Sequence, residues 1–228
     1  EGHMSLIRKA RKDTDRVIVS IFVNPTQFGP REDFKKYPRA IKRDIALCGR
    51  EDVDIIFTPE AGQMYPDGYA TYVNVERISD VLCGASRPSH FRGVSTVVAK
   101  LFNITMPDVA YFGQKDAQQA IIIKKMARDL NMGVKIKVMP IVREKDGLAM
   151  SSRNVYLDRK ERDRSQSIYK SLKSAKELFN SGERDSKKII NKIKRVIDNQ
   201  PGTKIDYVAI VDTKDLKDIK RISGEALV

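Results

Sequence analysis

The run RVIVSIFVNP at residues 16–25 constrains the fold most. It is nearly all apolar, broken by one serine, and closes in an Asn-Pro turn. It falls far short of the roughly 20 apolar residues of a membrane span. Its length predicts a strand buried on both faces of a parallel sheet. Residues 53–59 (VDIIFTP), 108–112 (DVAYF) and 134–139 repeat the pattern. Between them, 39–50, 90–104 and 117–130 carry apolar residues at helical spacing, with Asp116 placed to cap the last helix. Strand–helix alternation predicts an α/β fold, a doubly wound (Rossmann-like) parallel sheet with right-handed crossovers. Ligands of such sheets sit beyond the carboxyl ends of the strands. The polar loops NPTQF and FGQKD directly follow two of those ends.

The pattern changes after about residue 142. Helices are expected at 159–180 and 185–199, the second with Ile189, Ile190, Ile193, Val196 and Ile197 on one face and Gly182 as the stop before it. Residues 204–211 (KIDYVAIV) and 226–228 read as strands. The expected organisation is a nucleotide- and acid-binding domain at 1–141 and a small α+β lid domain at 142–228. No internal repeat interrupts it.

Composition narrows the function classes. A chain of 228 residues, 41% hydrophobic and 32% charged, buries a full core and is not a disordered tract. The first 16 residues are mixed and charged, without the apolar stretch of a secretory leader. Cys48 and Cys83 lie far apart and outside any metal-type spacing, which predicts idle thiols in a reducing, cytoplasmic compartment. The net charge of +13 is interleaved with acids along the C-terminal helices rather than gathered in a stripe. It leans toward phosphate-bearing ligands. An RNA-binding role would call for an aromatic-rich basic strand pair or an RGG tract, and the chain has neither, nor any tryptophan.

Four segments carry chemistry-bearing residues. Gly2-His3 opens a helix, whose free N–H groups and dipole favour a phosphate. Gly-His-Met is also what an expression tag leaves behind, and Ser5-Leu6 immediately after it favours a genuine motif. In VNPTQF, Asn24 and Gln27 offer uncharged amides suited to an acid bearing hydroxyls, although Asn-Pro by itself makes a turn. In FGQKD, Gly113 allows close backbone approach, Lys115 is a point charge for phosphate oxygens, and Asp116 can cap a helix while orienting a hydroxyl; Gln118 and Gln119 follow. In REKDGLAMSSRN at 143–154, Ser151, Ser152 and Arg153 form an anion grip beside a glycine turn.

In this order, together with Tyr37-Pro38-Arg39, MYPDG at 64–68 and RPSHFRGV at 87–94, these segments resemble the pantothenate synthetase family of the nucleotidylyltransferase group. The resemblance runs along essentially the whole chain and includes a loop akin to KMSKS. It implies ATP-dependent condensation of pantoate with β-alanine through a pantoyl adenylate, with Mg2+ and a homodimer. Carried over by position, it implies that His3 and Lys115 contact phosphates and that Ser151, Ser152 and Arg153 hold the triphosphate. Gly113, Asp116, Val142 and Met150 then line the nucleoside site. Asn24, Gln27 and Gln119 bind pantoate, Phe28 packs on its apolar end, and Asp44 lies near the metal.

The first histidine of the family's HxGH motif falls just before Glu1, and the strand that precedes it in the family is absent, which predicts weak activity for the chain as printed. Cys83 stands where some members carry an acid. The remaining enzyme alternative is a related nucleotidylyltransferase that passes AMP to a phosphate-bearing acceptor.

Overall fold

The computed structural model describes residues 1–228. The chain divides into two compact units, Glu1–Val142 and Arg143–Val228.

The first unit begins with α1 (Gly2–Asp13), followed by β1 (Ile18–Ser20), a 3-10 turn at Pro25–Gln27, α2 (Ile41–Gly49) and β2 (Ile55–Phe57). Short helices α3 (Ala61–Met64) and α4 (Cys83–Ser86) lead to α5 (His90–Thr105), β3 (Val109–Gly113), a 3-10 turn at Gln114–Asp116, α6 (Ala117–Asp129) and β4 (Lys135–Met139). β1 pairs with β2, and β3 with β4; both pairs are parallel. The unit is α/β, as the alternation predicts, with most element boundaries within about two residues of those expected; the run at 16–25 is the exception.

Its strands are less buried than the sequence implies. β1 spans only 18–20, and Ile18 is 38% exposed. The apolar run is covered on one side, where Ile7, Val17 and Cys48 form a core with Met4, Ala10, Val19, Ile21, Val53 and Ile56. On the other face Ile18 and Ser20 are exposed, while Phe22 lies 6.4 Å from the Tyr65 ring. The densest packing is helical instead. α5 packs on α6, burying Phe91, Val94, Val97, Ile122, Ile123 and Met126. Deleting a large side chain there costs about 2–5 kcal/mol. α1 is tied to the second pair through Asp13, which accepts from Tyr111 Oη (2.9 Å) and Lys137 Nζ (2.5 Å). Lys137, then Lys9 and Tyr111, hold its carboxyl well below the usual carboxylate range.

The second unit is built on α7 (Arg159–Asn180) and α8 (Ser186–Asp198), with a two-residue antiparallel pair, β5 (Val211–Asp212) and β6 (Ala226–Leu227). α7 starts on a reciprocal capping box: Glu161 N–H donates to Asp158 Oδ1 (2.7 Å), and Asp158 N–H to Glu161 Oε2 (2.9 Å). Such a cap contributes about 1 kcal/mol. Asp185 caps α8, accepting from Lys188 N–H at 3.0 Å. Ala175, Ile189, Ile193, Ile210 and Ile222 are the core between them. The strand expected at 204–211 is almost absent. Its apolar residues Val208 and Ile210 are used as plugs against the two helices, and only Val211 onward finds a strand partner.

Candidate active site

Asn24, 2% exposed at the end of the β1 run, is the hub of the NPTQ loop. Its Nδ2 donates to Gln27 Oε1 (3.2 Å) and to the Gly93 carbonyl (3.1 Å). Its Oδ1 accepts from Tyr65 Oη (2.8 Å) and Thr26 Oγ1 (3.0 Å). Both donors and both acceptor lobes of the amide are therefore used inside the protein. Gln27 is different: its Oε1 is pinned by Asn24, while its N–H2 group makes no bond within the chain. The loop thus turns one amide into a brace and the other into an outward donor. Phe28 stands beside it, edge-on to Phe34 (5.3 Å between centroids) and Tyr37 (5.9 Å).

The loop rests on the start of α5. A Cβ at Gly93 would lie 2.4 Å from the Thr26 carbonyl oxygen and 2.7 Å from Gln27 Cα, so only glycine lets the turn sit this close. His90, 8% exposed, reaches the same turn, with Nδ1 2.8 Å from the Gln27 carbonyl oxygen. On its other side Arg87 Nη1 lies 3.0 Å from Nε2. Arg87 in turn grips Glu32 as a fork, Nε to Oε1 at 2.8 Å and Nη2 to Oε2 at 2.5 Å. Arg87 holds the Glu32 carboxyl below its ordinary range. Burial first, then the charge of Arg87, push the imidazole below its ordinary value, opposed by the Gln27 carbonyl, Glu32 and Asp116.

Asp116 belongs to the loop after β3. Its charge is the smallest of the influences on His90, favouring the protonated ring. Lys115 is 38% exposed in its side chain and pairs only with Asp116, at 3.3 Å. Asp116 stands at the N-cap position of α6 but makes no side-chain cap bond, contrary to the capping role expected of it; its carboxylate is turned to Lys115. A Cβ on Gly113 would meet nothing nearer than the Lys115 amide nitrogen at 4.0 Å, so the packing of the chain does not require glycine there. Gln118 is structural: its Nε2 donates to the carbonyls of Ile78 (3.0 Å) and Val81 (2.8 Å), and its Oε1 accepts from Cys83 N–H (3.2 Å). Gln119, one position on, is half-buried with its amide unused by the protein.

His3 lies exposed in the first turn of α1, without a side-chain hydrogen bond. Asp44 is half-buried in the first turn of α2, and its charge adds to burial in raising the Cys48 thiol. No group of three or more His, Cys, Asp or Glu side chains converges to cage a metal. A Mg2+ ion held by one carboxylate and the phosphates it arrives with needs no such cage, so Asp44 fits that kind of site. Val142, half-buried, ends the first unit.

In the second unit the 143–154 loop is a folded turn. Arg143 bridges Ala149, and Glu144 N–H donates to the Leu148 carbonyl at 2.8 Å. Gly147 turns at φ +92° against the Tyr169 ring. Arg162 of α7 ties down both Glu144 (2.5 Å) and Asp146 (2.9 Å), and Asn154 Nδ2 donates to Glu144 Oε1 (3.0 Å). Met150 is half-buried; Ser151 Oγ accepts from Arg153 N–H at 3.2 Å, and Ser152 and Arg153 are exposed at the tip.

Glu32, Tyr65, Arg87 and His90 received no role from the sequence, although MYPDG and RPSHFRGV contain three of them. Nothing local marks them, because Glu32 and Arg87 meet across 55 residues, Tyr65 and Asn24 across 41, and His90 and Gln27 across 63.

The family model for pantoate–beta-alanine ligase matches residues 1–228. This chain belongs to the pantoate–beta-alanine ligase family. It is 55% identical over its whole length to the pantothenate synthetase of Thermosipho melanesiensis, covering 81% of that protein. To the pantothenate synthetase of Acetivibrio thermocellus the identity is 56%, with the same coverage. The crystal structure of pantothenate synthetase from Thermus thermophilus superposes with a TM-score of 0.96 at 41% identity, covering 99% of this chain and 82% of that one. A pantoate–beta-alanine ligase from Francisella tularensis, solved with β,γ-ATP and β-alanine, matches with a TM-score of 0.74 at 40% identity over 86% of this chain and 73% of its own. Membership makes the chain a ligase of pantothenate biosynthesis.

Proposed function

We propose that the chain joins pantoate to β-alanine in two steps, through a pantoyl adenylate. A pantoate carboxylate oxygen attacks the α-phosphorus of ATP; the new P–O bond forms as the bond to pyrophosphate breaks. The β-alanine amine then attacks the acyl carbon, the bond to AMP breaks, and the surplus ammonium proton leaves to solvent. The observation that carries this reading is the family match over residues 1–228, and it is supported by an NPTQ loop seated on His90 and Gly93 with the Gln27 amide left free.

In this scheme Gln27 and Gln119 donate to pantoate, Asn24 braces Gln27, and Phe28 lies along the apolar end. Lys115 and His3 face phosphate oxygens, where negative charge builds as pyrophosphate departs. Gly113, Asp116, Val142 and Met150 serve the nucleoside. Ser151, Ser152 and Arg153 offer hydroxyls and a guanidinium fork to the triphosphate. Mg2+, when bound, supplies charge neutralisation on those phosphates, with Asp44 the carboxylate available to it. No covalent intermediate with the protein is needed.

The same reading makes β1–β2 and β3–β4 two flanks of one doubly wound sheet, the first unit (1–141) the nucleotide- and acid-binding domain, and the second (142–228) its lid. It also implies a cytoplasmic homodimer.

The test is AMP and pyrophosphate formation with each substrate withheld in turn. Pyrophosphate release should require pantoate, and AMP release should further require β-alanine. AMP transfer that ignores β-alanine would point to another nucleotidylyltransferase and overturn the proposal.

A further inference from the structure

The chain has only two histidines, and one of them lies buried beneath the loop assigned above to the acid substrate. The neighbours of His90 fix its chemical state. The Gln27 carbonyl can only accept, so the ring nitrogen 2.8 Å away, Nδ1, must carry a hydrogen. The Arg87 guanidinium can only donate, so Nε2, 3.0 Å from Nη1, must be bare. The ring is therefore the neutral Nδ1–H tautomer, read in one sense from Glu32 through Arg87 to His90 and on to Gln27. Glu32 fixes Arg87 by a two-point fork that leaves Nη1 as the remaining arm, aimed at the imidazole. The carbonyl at the far end belongs to the residue whose side-chain amide is left over for a ligand.

We propose that Glu32, Arg87 and His90 form a positioning relay that sets the orientation of Gln27 and thereby the affinity for the acid substrate. The proposal rests on the assignment of Gln27 to pantoate. His90 touches no reacting atom; it acts through the Gln27 backbone.

A purely structural histidine at the first turn of α5 would tolerate any neutral side chain that fills the space. A relay is directional. Protonating Nε2 replaces the acceptor facing Arg87 with a second donor, beside a cation, and the arm of Arg87 must let go. The charged and titratable groups acting on the ring are Arg87, Glu32 and Asp116, with Cys83 adjoining Arg87. Arg87 disfavours the imidazolium; Glu32 and Asp116 favour it. The relay is thus intact above the titration of His90 and broken below it.

Two substitutions divide the ring's functions. In His90→Asn the amide nitrogen takes the place of Nδ1–H and keeps the bond to Gln27. In His90→Gln the longer side chain meets Arg87 and abandons the Gln27 carbonyl. The KM for pantoate should rise about tenfold in His90→Gln, with the KM for ATP within about twofold, a loss confined to one substrate's binding. His90→Asn should raise it less, and should also remove the acidic limb from the pH profile of kcat/KM for pantoate. Arg87→Gln, which keeps His90 but removes the cation, should move that limb to higher pH. Equal effects of His90→Asn and His90→Gln on both substrates, or an unmoved limb in Arg87→Gln, would overturn the relay.

A spectroscopic measurement needs neither activity nor a variant at position 90. Long-range 1H–15N correlation of the ring nitrogens, with the two histidines distinguished by His3→Ala, should show a protonated Nδ1 and a bare Nε2 for His90 at pH 8. An Nε2–H ring would sink the relay whatever the enzyme's substrate. If instead the tautomer is as expected and the wild-type chain releases no AMP in response to pantoate, the functional reading fails while the network stands.

Discussion

Gly93→Ala tests how tightly the NPTQ loop depends on α5. A Cβ there would stand 2.4 Å from the Thr26 carbonyl oxygen and 2.6 Å from Thr26 carbon, where ordinary contacts begin at 3.4 Å. The obstructing atoms are backbone, so no side-chain rotation relieves them, and the turn must retreat by about 1 Å. Overpacking of this kind costs about 1–3 kcal/mol. Alanine returns up to about 1 kcal/mol through its better helix propensity, α5 being regular at this position. The net loss is then up to about 2 kcal/mol, or a fall in Tm of up to roughly 8 °C for a chain of this size. The catalytic effect should be larger than the stability effect. The retreat lengthens the Asn24–Gly93 and His90–Gln27 bonds together, and a displacement of about 1 Å in a positioning element can lower kcat/KM on the order of 100-fold. The loss should appear with pantoate as the varied substrate and be slight for ATP. Thermal unfolding followed by circular dichroism and a coupled AMP assay measure the two effects. A variant with unchanged Tm and unchanged kcat/KM for pantoate would refute the claim that the close approach holds the loop.

Asn24→Ala and Gln27→Ala should part company: the first removes a buried brace with four bonds and should destabilise the protein by about 2–3 kcal/mol, whereas the second should leave Tm nearly unchanged and weaken pantoate alone. Comparing their urea midpoints decides it, and equal midpoints would contradict the brace. Lys115→Ala gives up one exposed pair with Asp116, so stability should shift by less than about 0.5 kcal/mol while pyrophosphate release is abolished; a folded variant with normal turnover would remove the lysine from the phosphate role. For His90 the sign of the pH effect follows from its depressed folded-state value: the unfolded chain takes up the proton first, so stability should begin to fall as pH drops through about 6.5. His90→Asn should lack that part of the decline, and parallel curves in denaturant titrations would contradict the buried neutral ring.

The α/β alternation was legible because buried strands and amphipathic helices leave distinct periods along the chain. α7 came out with the limits expected of it, since its cap and its apolar spacing are both local signals. The strand at 204–211 did not, because β-branched residues suit a plug between helices as well as a ladder, and only pairing tells them apart. At the site, sequence pointed to Asn24 and Gln27 equally; which amide is spent inside the protein depends on Tyr65 and Gly93, 41 and 69 residues away. His90 was visible as the opening of a helix and as part of the RPSHFRGV motif, without a role. The tautomer proposed for it depends on tertiary structure, on the Gln27 carbonyl 63 residues away and on an arginine anchored by a carboxylate 55 residues from it.

The turn at 143–154 is closed by its own backbone bridge, by the Tyr169 ring under Gly147, and by Arg162 across Glu144 and Asp146. Its conformational freedom has therefore been surrendered during folding, long before any nucleotide arrives. On the role proposed for Ser151, Ser152 and Arg153, a triphosphate would encounter a finished surface, and the entropy of ordering about a dozen residues would not have to be subtracted from its binding free energy.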